Sequence, residues 1–198
     1  MNIKKFPLAE NQYYKQAFSK TSIFLHHTAG GSAVSSIAHW ASNPDHIATP
    51  YLIDRDGTIY ECYDPNYWAY SLGVKSNNQI ERSAIPIEIC SYGNLVLKDG
   101  KFLNWVGKEV KPERVVKCPF RGFDYWEKYT DEQIKSISEL LPYLINRFSI
   151  KLQSDRNNFW EFQNPSKLPP GIWSHSTVRK DKVDIFPQKE LVELVYNQ

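Results

Sequence analysis

The sequence predicts an α/β fold, a single domain in which a central mixed β-sheet is flanked by helices. Short apolar segments of strand length alternate along the chain with segments whose apolar residues recur every three or four positions. The 198 residues suffice for one domain with a sizeable core, and no internal repeat or low-complexity segment divides them. We therefore treat residues 1–198 as one domain.

Composition and charge argue against several other classes of protein. The net charge is +2 and no run of lysine and arginine reaches five residues, so nucleic acid is not an expected partner. No apolar run approaches the roughly 18 residues of a membrane-spanning helix, and none follows the N-terminal lysines. We expect neither membrane insertion nor a secretory signal, and we expect a monomer made in a cytoplasm.

The cysteines give no sign of a disulfide framework or of a zinc ribbon. Cys62, Cys90 and Cys118 are odd in number and widely spaced, and no two of them form a C-x-x-C pair. Reduced thiols are the expected state.

The elements of the N-terminal half begin with a buried strand over residues 22–25. Ser32 is a plausible N-cap for a short helix that ends before Pro44. Residues 51–53 and 58–60 flank a turn with glycine where a positive φ is needed, which predicts a hairpin. Residues 84–90 form another strand, in which Pro86 favours an edge or irregular position.

The C-terminal half begins with a second hairpin, in which residues 95–97 and 101–103 flank Asp99-Gly100. Residues 104–129 are aromatic and of mixed charge, and we expect them to be irregular. Thr130 and Gln133 form a capping box that opens a long helix, which Pro142 should kink. Residues 151–170 look like an exposed loop, and Pro187 can open a final helix.

Two separated histidine segments carry the strongest functional signal. The first predicted strand runs into His26 and His27, and His175 follows a short apolar segment far downstream, just before Asp184. Two imidazoles and one carboxylate make a three-ligand zinc site with an open position, which is typical of catalytic zinc and lowers the pKa of its bound water to about 7. His26 and His27 point to opposite faces of a strand, and periodicity alone does not choose between them. Asp181 is a rival to Asp184, and either histidine taken alone could be a core histidine.

Two further charged residues could act beside such an ion. Lys182 precedes Asp184 by two positions, so in an extended segment both side chains point into the same cleft. Its ammonium could stabilise an oxyanion, or it could be a solvated surface lysine. Glu88 lies in an otherwise apolar strand, where an unpaired carboxylate is costly. Glu88 therefore either forms a buried salt bridge or serves as a general base and acid.

Taken together, these segments resemble the zinc-dependent N-acetylmuramoyl-L-alanine amidases, which include phage lysozyme-type amidases and are related to peptidoglycan recognition proteins. The similarity covers about residues 20–92 and 130–197, in the family's order. Its motifs are the strand and histidine pair at 23–30, the hairpin at 51–60, residues 69–73, the Ile-Pro-Ile-Glu strand at 85–89, the Thr-x-x-Gln helix start at 130–133, Trp173-Ser174-His175 and Lys182-Val183-Asp184.

The resemblance implies a zinc cleft on one side of the sheet and a role for each residue. The first histidine of such a pair is the ligand in the family, which favours His26 and gives the zinc ligands His26, His175 and Asp184. Glu88 takes a proton from water and returns it to the leaving amine, and Lys182 steadies the oxyanion. The substrate is bacterial peptidoglycan, cleaved at the amide between the lactyl group of N-acetylmuramic acid and the L-alanine of the stem peptide.

The sequence also departs from the family pattern. Thr49 and Pro50 stand where members have tyrosine and histidine, and Ser71 replaces a histidine, changes that bear on substrate positioning and not on the metal. Residues 93–129 are longer than the family pattern at that point, so the resemblance implies that they are an insertion specific to a subgroup. We expect it to wall the substrate groove, with Trp105 and Trp126 packing on substrate or only anchoring the insertion to the core.

The resemblance suggests a biological setting and leaves alternatives. A phage endolysin that acts on the cell wall after release is the preferred setting, and an antibacterial effector delivered by a secretion system is the second. A recognition module that binds peptidoglycan without cleaving it is disfavoured because all three zinc ligands are present. A structural zinc protein without substrate is disfavoured because the ligands include no cysteine.

Overall fold

A six-stranded mixed sheet forms the centre of the protein. The computed structural model describes residues 1, 3–74, 78–153 and 155–197. One pair of neighbouring strands in this sheet, a hairpin, is antiparallel, and all other neighbouring strands are parallel. The mixed sheet flanked by helices confirms the predicted fold class. In spatial order the strands are β1 (Ile3–Lys5), β4 (Ile59–Glu61), β3 (Tyr51–Ile53), β5 (Ala84–Ile89), β2 (Ser22–His27) and β11 (Gly171–Ser174).

Five helices accompany this sheet in the described ranges. The larger apolar core packs alternate residues of the strands, among them Ile23 and Leu25 of β2, against the long third helix and the last helix. On the other face, Leu52 packs with Ile37 and Trp40 of the first helix. The helices are α1 (Ala33–Ser42), α2 (Asn78–Ser83), α3 (Asp131–Phe148), α4 (His175–Val178) and α5 (Lys189–Tyr196).

The helix starts predicted at Ser32 and Thr130 are confirmed, while the final helix begins at Lys189, two residues after Pro187. The Ser32 hydroxyl accepts a hydrogen bond from the amide of Ser35, and Thr130 and Gln133 form the reciprocal capping box. The Gln133 side chain also donates to the carbonyl oxygens of Ile53 and Cys90, which ties the start of α3 to the sheet. The helix then continues through Pro142 to Phe148.

The predicted edge position of β5 is wrong, because β5 lies between β3 and β2. Pro86 is tolerated there for a local reason. It pairs with Phe24 of β2, but the register with β3 begins only at Ile87. The missing amide of Pro86 therefore costs no hydrogen bond to β3.

The insertion forms a second, wholly antiparallel sheet. The hairpin predicted within residues 95–103 is confirmed, but the irregular structure expected for residues 104–129 is wrong. Arg121 and Gly122 both have positive φ (47° and 84°), the backbone of a tight two-residue hairpin turn. In spatial order the strands are β8 (Glu109–Val110), β7 (Lys101–Leu103), β6 (Asn94–Lys98), β10 (Phe123–Glu127) and β9 (Val115–Phe120).

The segment over residues 151–170 contains only two short 3₁₀ turns among its described residues, Arg156–Asn158 and Pro165–Lys167. It is less exposed than expected, because Phe159 is buried in the main core. The carbonyl oxygen of Phe159 accepts a hydrogen bond from the Ser174 hydroxyl at 2.8 Å. The segment thereby fixes the junction between β11 and α4. No helix among the described residues is both long and apolar enough to cross a membrane.

Candidate active site

The alternation of β2 separates the two adjacent histidines. Ile23 and Leu25 point to the face that packs on α3, and His27 follows the same alternation. The His27 Nδ1 atom lies 3.1 Å from the hydroxyl of Tyr129. His26 points to the opposite face, where it meets His175 and Asp184. The structure thus brings His26, and not His27, into the group of possible metal ligands.

His175 is presented by the junction of β11 and α4, beside β2. It is the first residue of α4, and Ser174 before it pairs with Leu25 of β2. The Nε2 atom of His175 lies 3.0 Å from the carbonyl oxygen of Leu72. A carbonyl oxygen can only accept, so Nε2 carries a proton and the other ring nitrogen, Nδ1, faces the group.

Three donor atoms converge at this point. The Nδ1 atom of His175 lies 3.0 Å from the Nδ1 atom of His26 and 3.0 Å from the Oδ2 atom of Asp184, and the last two atoms are 3.4 Å apart. Ligands held at about 2.0–2.1 Å around a tetrahedral zinc ion lie roughly 3.3 Å from one another. The spacing and the chemistry of this buried donor set therefore fit zinc.

The protonation states of the group also suit a cation. Burial, with the neighbouring ring of His175, lowers the pKa of His26 to about 4. Burial alone would raise the pKa of Asp184, but the facing imidazoles more than offset this effect and hold that pKa well below its ordinary value. At neutral pH the site thus offers the neutral imidazole of His26 and the ionised carboxylate of Asp184, the forms in which these side chains bind metals.

Asp181, the rival acidic residue, lies outside the group. Its carboxylate is exposed and accepts two hydrogen bonds from the Arg179 guanidinium at 2.8 and 2.6 Å. The hydrogen bond from Arg179 lowers the pKa of Asp181 to about 2. Asp184 supplies the carboxylate that meets the two histidines.

Glu88 stands next to the donor group on the neighbouring strand. It pairs with His26 in the register of β5 and β2. Its Oε2 atom is buried and has no hydrogen-bond partner, and no ion pair involves Glu88 in the described part of the chain. Burial, with the charge of Asp184 acting in the same direction, raises the pKa of Glu88 to about 8. The structure therefore lacks the buried salt bridge that was the alternative interpretation of Glu88.

Lys182 lies on the segment between α4 and Asp184 and lines the same cleft. Its ammonium has no hydrogen-bond or ion-pair partner among the residues that the structure describes. The segment is held by Arg121 of the insertion, which donates to the carbonyl oxygens of Lys182 at 3.0 Å and Lys180 at 3.2 Å. The cation is therefore available to a bound molecule.

Comparison of the whole sequence with protein families decides the assignment. Residues 18–187 match the N-acetylmuramoyl-L-alanine amidase family, Amidase_2. The chain belongs to this family. It is accordingly an enzyme of the peptidoglycan amidase class, as the sequence motifs predicted. No curated protein matches the sequence of this amidase closely.

Solved structures share the fold at low sequence identity. PlyL is 13% identical with a TM-score of 0.58, and the match covers 98% of this chain and 91% of PlyL. LysC from Clostridium intestinale URNW, itself an N-acetylmuramoyl-L-alanine amidase, is 17% identical with a TM-score of 0.51 over 98% of this chain and 97% of LysC. AmiD from E. coli is 16% identical with a TM-score of 0.57 over 91% of this chain and 59% of AmiD.

The amidase cleft around the donor group has a volume of about 480 Å³. The insertion contributes Trp105 and Asn94 to its wall, as predicted. Trp126 is different, because it is fully buried and stacked on Phe186 with ring centroids 4.8 Å apart. The prediction that Trp126 could pack on substrate is therefore wrong, and this ring anchors the insertion to the core.

The three departures from the family pattern have different positions in the amidase. Ser71 lines the cleft. Thr49 and Pro50 are buried, and the Thr49 hydroxyl donates to the carbonyl oxygen of Tyr51 at 2.9 Å. Only the change at Ser71 therefore alters a side chain on the cleft surface.

Two buried carboxylates that support the site were missed by the sequence interpretation. Glu81 accepts hydrogen bonds from the backbone amides of Ser71 and Leu72 at 3.0 Å each and of Val74 at 3.2 Å. Glu81 thereby holds the segment of Leu72, whose carbonyl oxygen accepts the hydrogen bond from His175. Its only sequence signal is a charged residue beside apolar Ile80, which does not reveal partners in a neighbouring loop.

Glu127 is the second of these carboxylates. It binds the guanidinium groups of Arg55 and Arg114 and accepts the amide of Tyr92 at 2.6 Å. Arg55 in turn donates to the carbonyl oxygen of Gly31 at 3.1 Å. This network connects the insertion to the loop that follows His26 and His27.

Proposed function

We propose that the chain is a zinc-dependent N-acetylmuramoyl-L-alanine amidase that cleaves the amide between the lactyl group of N-acetylmuramic acid and the L-alanine of the stem peptide. The observation that carries this proposal is the convergence of His26, His175 and Asp184 at 3.0–3.4 Å in an open cleft, with Glu88 on the adjacent strand. Family membership supplies the class of bond that is cleaved.

The metal ligands in this proposal are His26, His175 and Asp184. A zinc ion bound there would polarise the scissile carbonyl group and make water a stronger acid. The hydrogen bond from His175 to Leu72 fixes the tautomer that leaves Nδ1 free for the ion. Two imidazoles and a carboxylate suit zinc better than magnesium or calcium.

Glu88 and Lys182 perform the proton transfer and the charge stabilisation. In its ionised form, which a cation bound by the neighbouring ligands would favour over the protonated form, Glu88 accepts a proton as the water oxygen attacks the lactyl carbonyl carbon. It then gives that proton to the nitrogen of L-alanine as the carbon–nitrogen bond breaks, leaving a carboxylic acid and a free amine. The ammonium of Lys182, which has no partner in the described part of the chain, stabilises the negative charge that develops on the carbonyl oxygen.

Bacterial peptidoglycan is the proposed partner. AmiD, which has a similar fold, is described in complex with the substrate anhydro-N-acetylmuramic acid-L-Ala-D-gamma-Glu-L-Lys. Such a peptide carries free carboxylates, and the cation of Lys182 lies in the cleft. The complete ligand set favours an enzyme over a recognition module that only binds peptidoglycan.

The proposed setting is a phage endolysin made in a cytoplasm that acts on the bacterial cell wall after release. Support comes from the fold, which is shared with the endolysin LysCS from Clostridium intestinale URNW, at 16% identity and a TM-score of 0.51. In this setting the enzyme works as a monomer.

The test combines product analysis with metal analysis. Purified peptidoglycan is digested, and mass spectrometry identifies the new ends. Amidase action gives stem peptides with a free L-alanine amine and no new reducing sugar ends. A chelator should abolish the activity, and added zinc should restore it. New reducing ends, or full activity in protein shown to be free of zinc, would contradict the proposal.

A matched pair of variants tests the ligand assignment. His26→Gln and His27→Gln make the same change on opposite faces of β2. Elemental analysis should find about one zinc per chain in the wild type and in His27→Gln, and much less in His26→Gln. Loss of zinc from His27→Gln alone would reverse the assignment.

A further inference from the structure

A second recess adjoins the amidase cleft. It has a volume of about 300 Å³ and lies between α1 and the insertion. Thr28, Ala29, Glu88 and Trp105 line both spaces. Because Glu88 stands at the junction, a substrate whose scissile bond lies beside Glu88 can extend into both.

The two spaces differ in charge. The cleft contains Lys182, Asp181 and Asp184. Among the described residues, the lining of the recess includes no lysine or arginine, and Glu88 is its only carboxylate. The proposed substrate is divided in the same way, since its peptide side is ionised and its sugar side is neutral once the lactyl group is in the amide. Apart from His39, and Glu88 which lines both spaces, the described lining of the recess carries no titratable side chain, so the recess suits the uncharged sugar better than the cleft does.

Trp105 presents a fixed aromatic surface to this recess. Its side chain is 68% exposed, yet its indole Nε1–H donates to the carbonyl oxygen of Ala29 at 2.7 Å. The turn that carries it is held by the buried Asn104, whose Oδ1 atom accepts the amides of Val106 at 3.2 Å and Lys108 at 2.8 Å. An ordered aromatic ring loses little conformational entropy when a ligand packs on it.

The opposite wall supplies hydrogen-bond acceptors. The hydroxyls of Ser35 and Ser36 at the start of α1 both donate to the carbonyl oxygen of Ser32, at 2.9 and 3.2 Å. The Ser35 oxygen also accepts from the Ser32 hydroxyl at 3.1 Å, which leaves it one lone pair, and the Ser36 oxygen keeps acceptor capacity as well. An apolar ring on one side and acceptors on the other match a pyranose, which has a face of C–H groups and a rim of hydroxyl and amide donors.

We propose that this recess binds the N-acetylated pyranose that carries the scissile lactyl group, and that Trp105 determines the preference for sugar-bearing substrate. This inference rests on the proposed amidase function, because that function places the lactyl amide beside Glu88. Trp105 comes from the insertion, so the preference belongs to the subgroup that has this second sheet.

The kinetic test compares two substrates with the same scissile amide. One is N-acetylmuramyl-L-Ala-D-gamma-Glu-L-Lys, and the other is the lactoyl peptide without the sugar. Trp105→Ala should lower kcat/KM for the muramyl peptide about tenfold, the loss expected for a contact of about 1.4 kcal/mol, and leave the lactoyl peptide unchanged. Trp105→Phe keeps a ring but loses the bond to Ala29, so it should retain part of the preference.

The control is Val106→Ala. Val106 is 54% exposed on the same turn and lines neither space. Val106→Ala should leave kcat/KM unchanged for both substrates. If Trp105→Ala lowers kcat/KM equally for both substrates, Trp105 only holds the Ala29 loop and the proposal is overturned. No change with either substrate overturns it as well.

A binding experiment separates this proposal from the amidase function. Calorimetry with N-acetylmuramic acid as the probe should show binding to the wild type and weaker binding to Trp105→Ala. A wild type that binds the probe but cleaves neither substrate would refute the amidase function and leave the sugar site standing. A wild type that cleaves the muramyl peptide no better than the lactoyl peptide, and does not bind the probe, would refute the sugar site alone.

Discussion

The Nε2–H group of His175 donates a hydrogen bond to the backbone carbonyl oxygen of Leu72 at 3.0 Å. This bond turns the opposite ring nitrogen toward His26 and Asp184. The position of Leu72 depends in turn on the buried carboxylate of Glu81, which accepts three amides of the same segment. A residue with no direct contact to the donor group thus orients one of its ligands.

The first prediction follows from this chain of contacts. Glu81→Gln keeps the shape of the side chain but replaces one of the two oxygens that accept backbone amides with an NH₂ group, which can only donate. The Leu72 segment should shift, and zinc affinity should fall by roughly 10- to 100-fold, the usual effect of losing an outer-shell partner. Titration against a competing chelator measures this affinity. Glu190→Gln, on the exposed side of α5, is the control, and equal affinity in both variants would refute the positioning role.

The second prediction concerns the proton-transfer role of Glu88. Glu88→Gln preserves size and hydrogen bonding but removes the group that accepts a proton. The variant should bind zinc as the wild type does and lose roughly 10²- to 10⁴-fold in kcat. Turnover of a defined muropeptide is measured alongside zinc content. Near-normal turnover with full zinc would show that Glu88 is not the base.

The parts of the site that the sequence predicts are those governed by local geometry. The alternation of β2 requires His26 and His27 to face opposite sides, but choosing the correct face needed the family resemblance, because both sides of this sheet are buried. The structure supplies the missing fact, since α3 covers the face of His27. The choice between Asp184 and Asp181 likewise depends on three-dimensional contacts, because Asp181 pairs with its near neighbour Arg179 while Asp184 meets His26 from a distant part of the chain.

The errors arise where pairing across the chain overrides local preference. Pro86 reads as an edge residue, but it occupies the centre because β3 is too short to reach it. Residues 104–129 were expected to be irregular because their strands contain few aliphatic residues and mix aromatic with charged ones. Their sheet is small, and most of their side chains are only partly buried or exposed. Trp105 and Trp126 are equivalent in the sequence, and only the packing of Phe186 makes one a core residue and leaves the other exposed.

The third prediction concerns the buried ion-pair network of the insertion. Glu127 is fully buried between Arg55 and Arg114. Glu127→Ala leaves two guanidinium groups without their carboxylate, so the free energy of unfolding should fall by about 3–5 kcal/mol. Denaturant unfolding measures this loss. Arg114→Ala removes the more exposed partner and leaves Glu127 paired with Arg55, so it should cost clearly less, and equal costs in the two variants would contradict this prediction.

The fourth prediction concerns the reactivity of the three free thiols. Burial raises the pKa of Cys62 to about 12 and raises the pKa values of Cys90 and Cys118 as well. Only the thiolate reacts with disulfide reagents, so at pH 8 roughly one Cys62 side chain in 10⁴ is in the reactive form. Cys118 is half-buried and can be reached by the reagent. Cys62 and Cys90 are buried, so they are shielded from the reagent in addition to having raised pKa values.

In native protein at pH 8, an aromatic disulfide reagent should therefore modify only Cys118, and slowly. The rate should increase as the pH is raised, because a raised pKa means that the thiolate fraction is still growing above pH 8. Denaturant should expose all three thiols, which then react within the same time. Cys118→Ser should abolish the reaction in native protein and leave two reactive thiols in denaturant. Rapid reaction of Cys62 or Cys90 in the folded protein would contradict the prediction that burial protects these thiols.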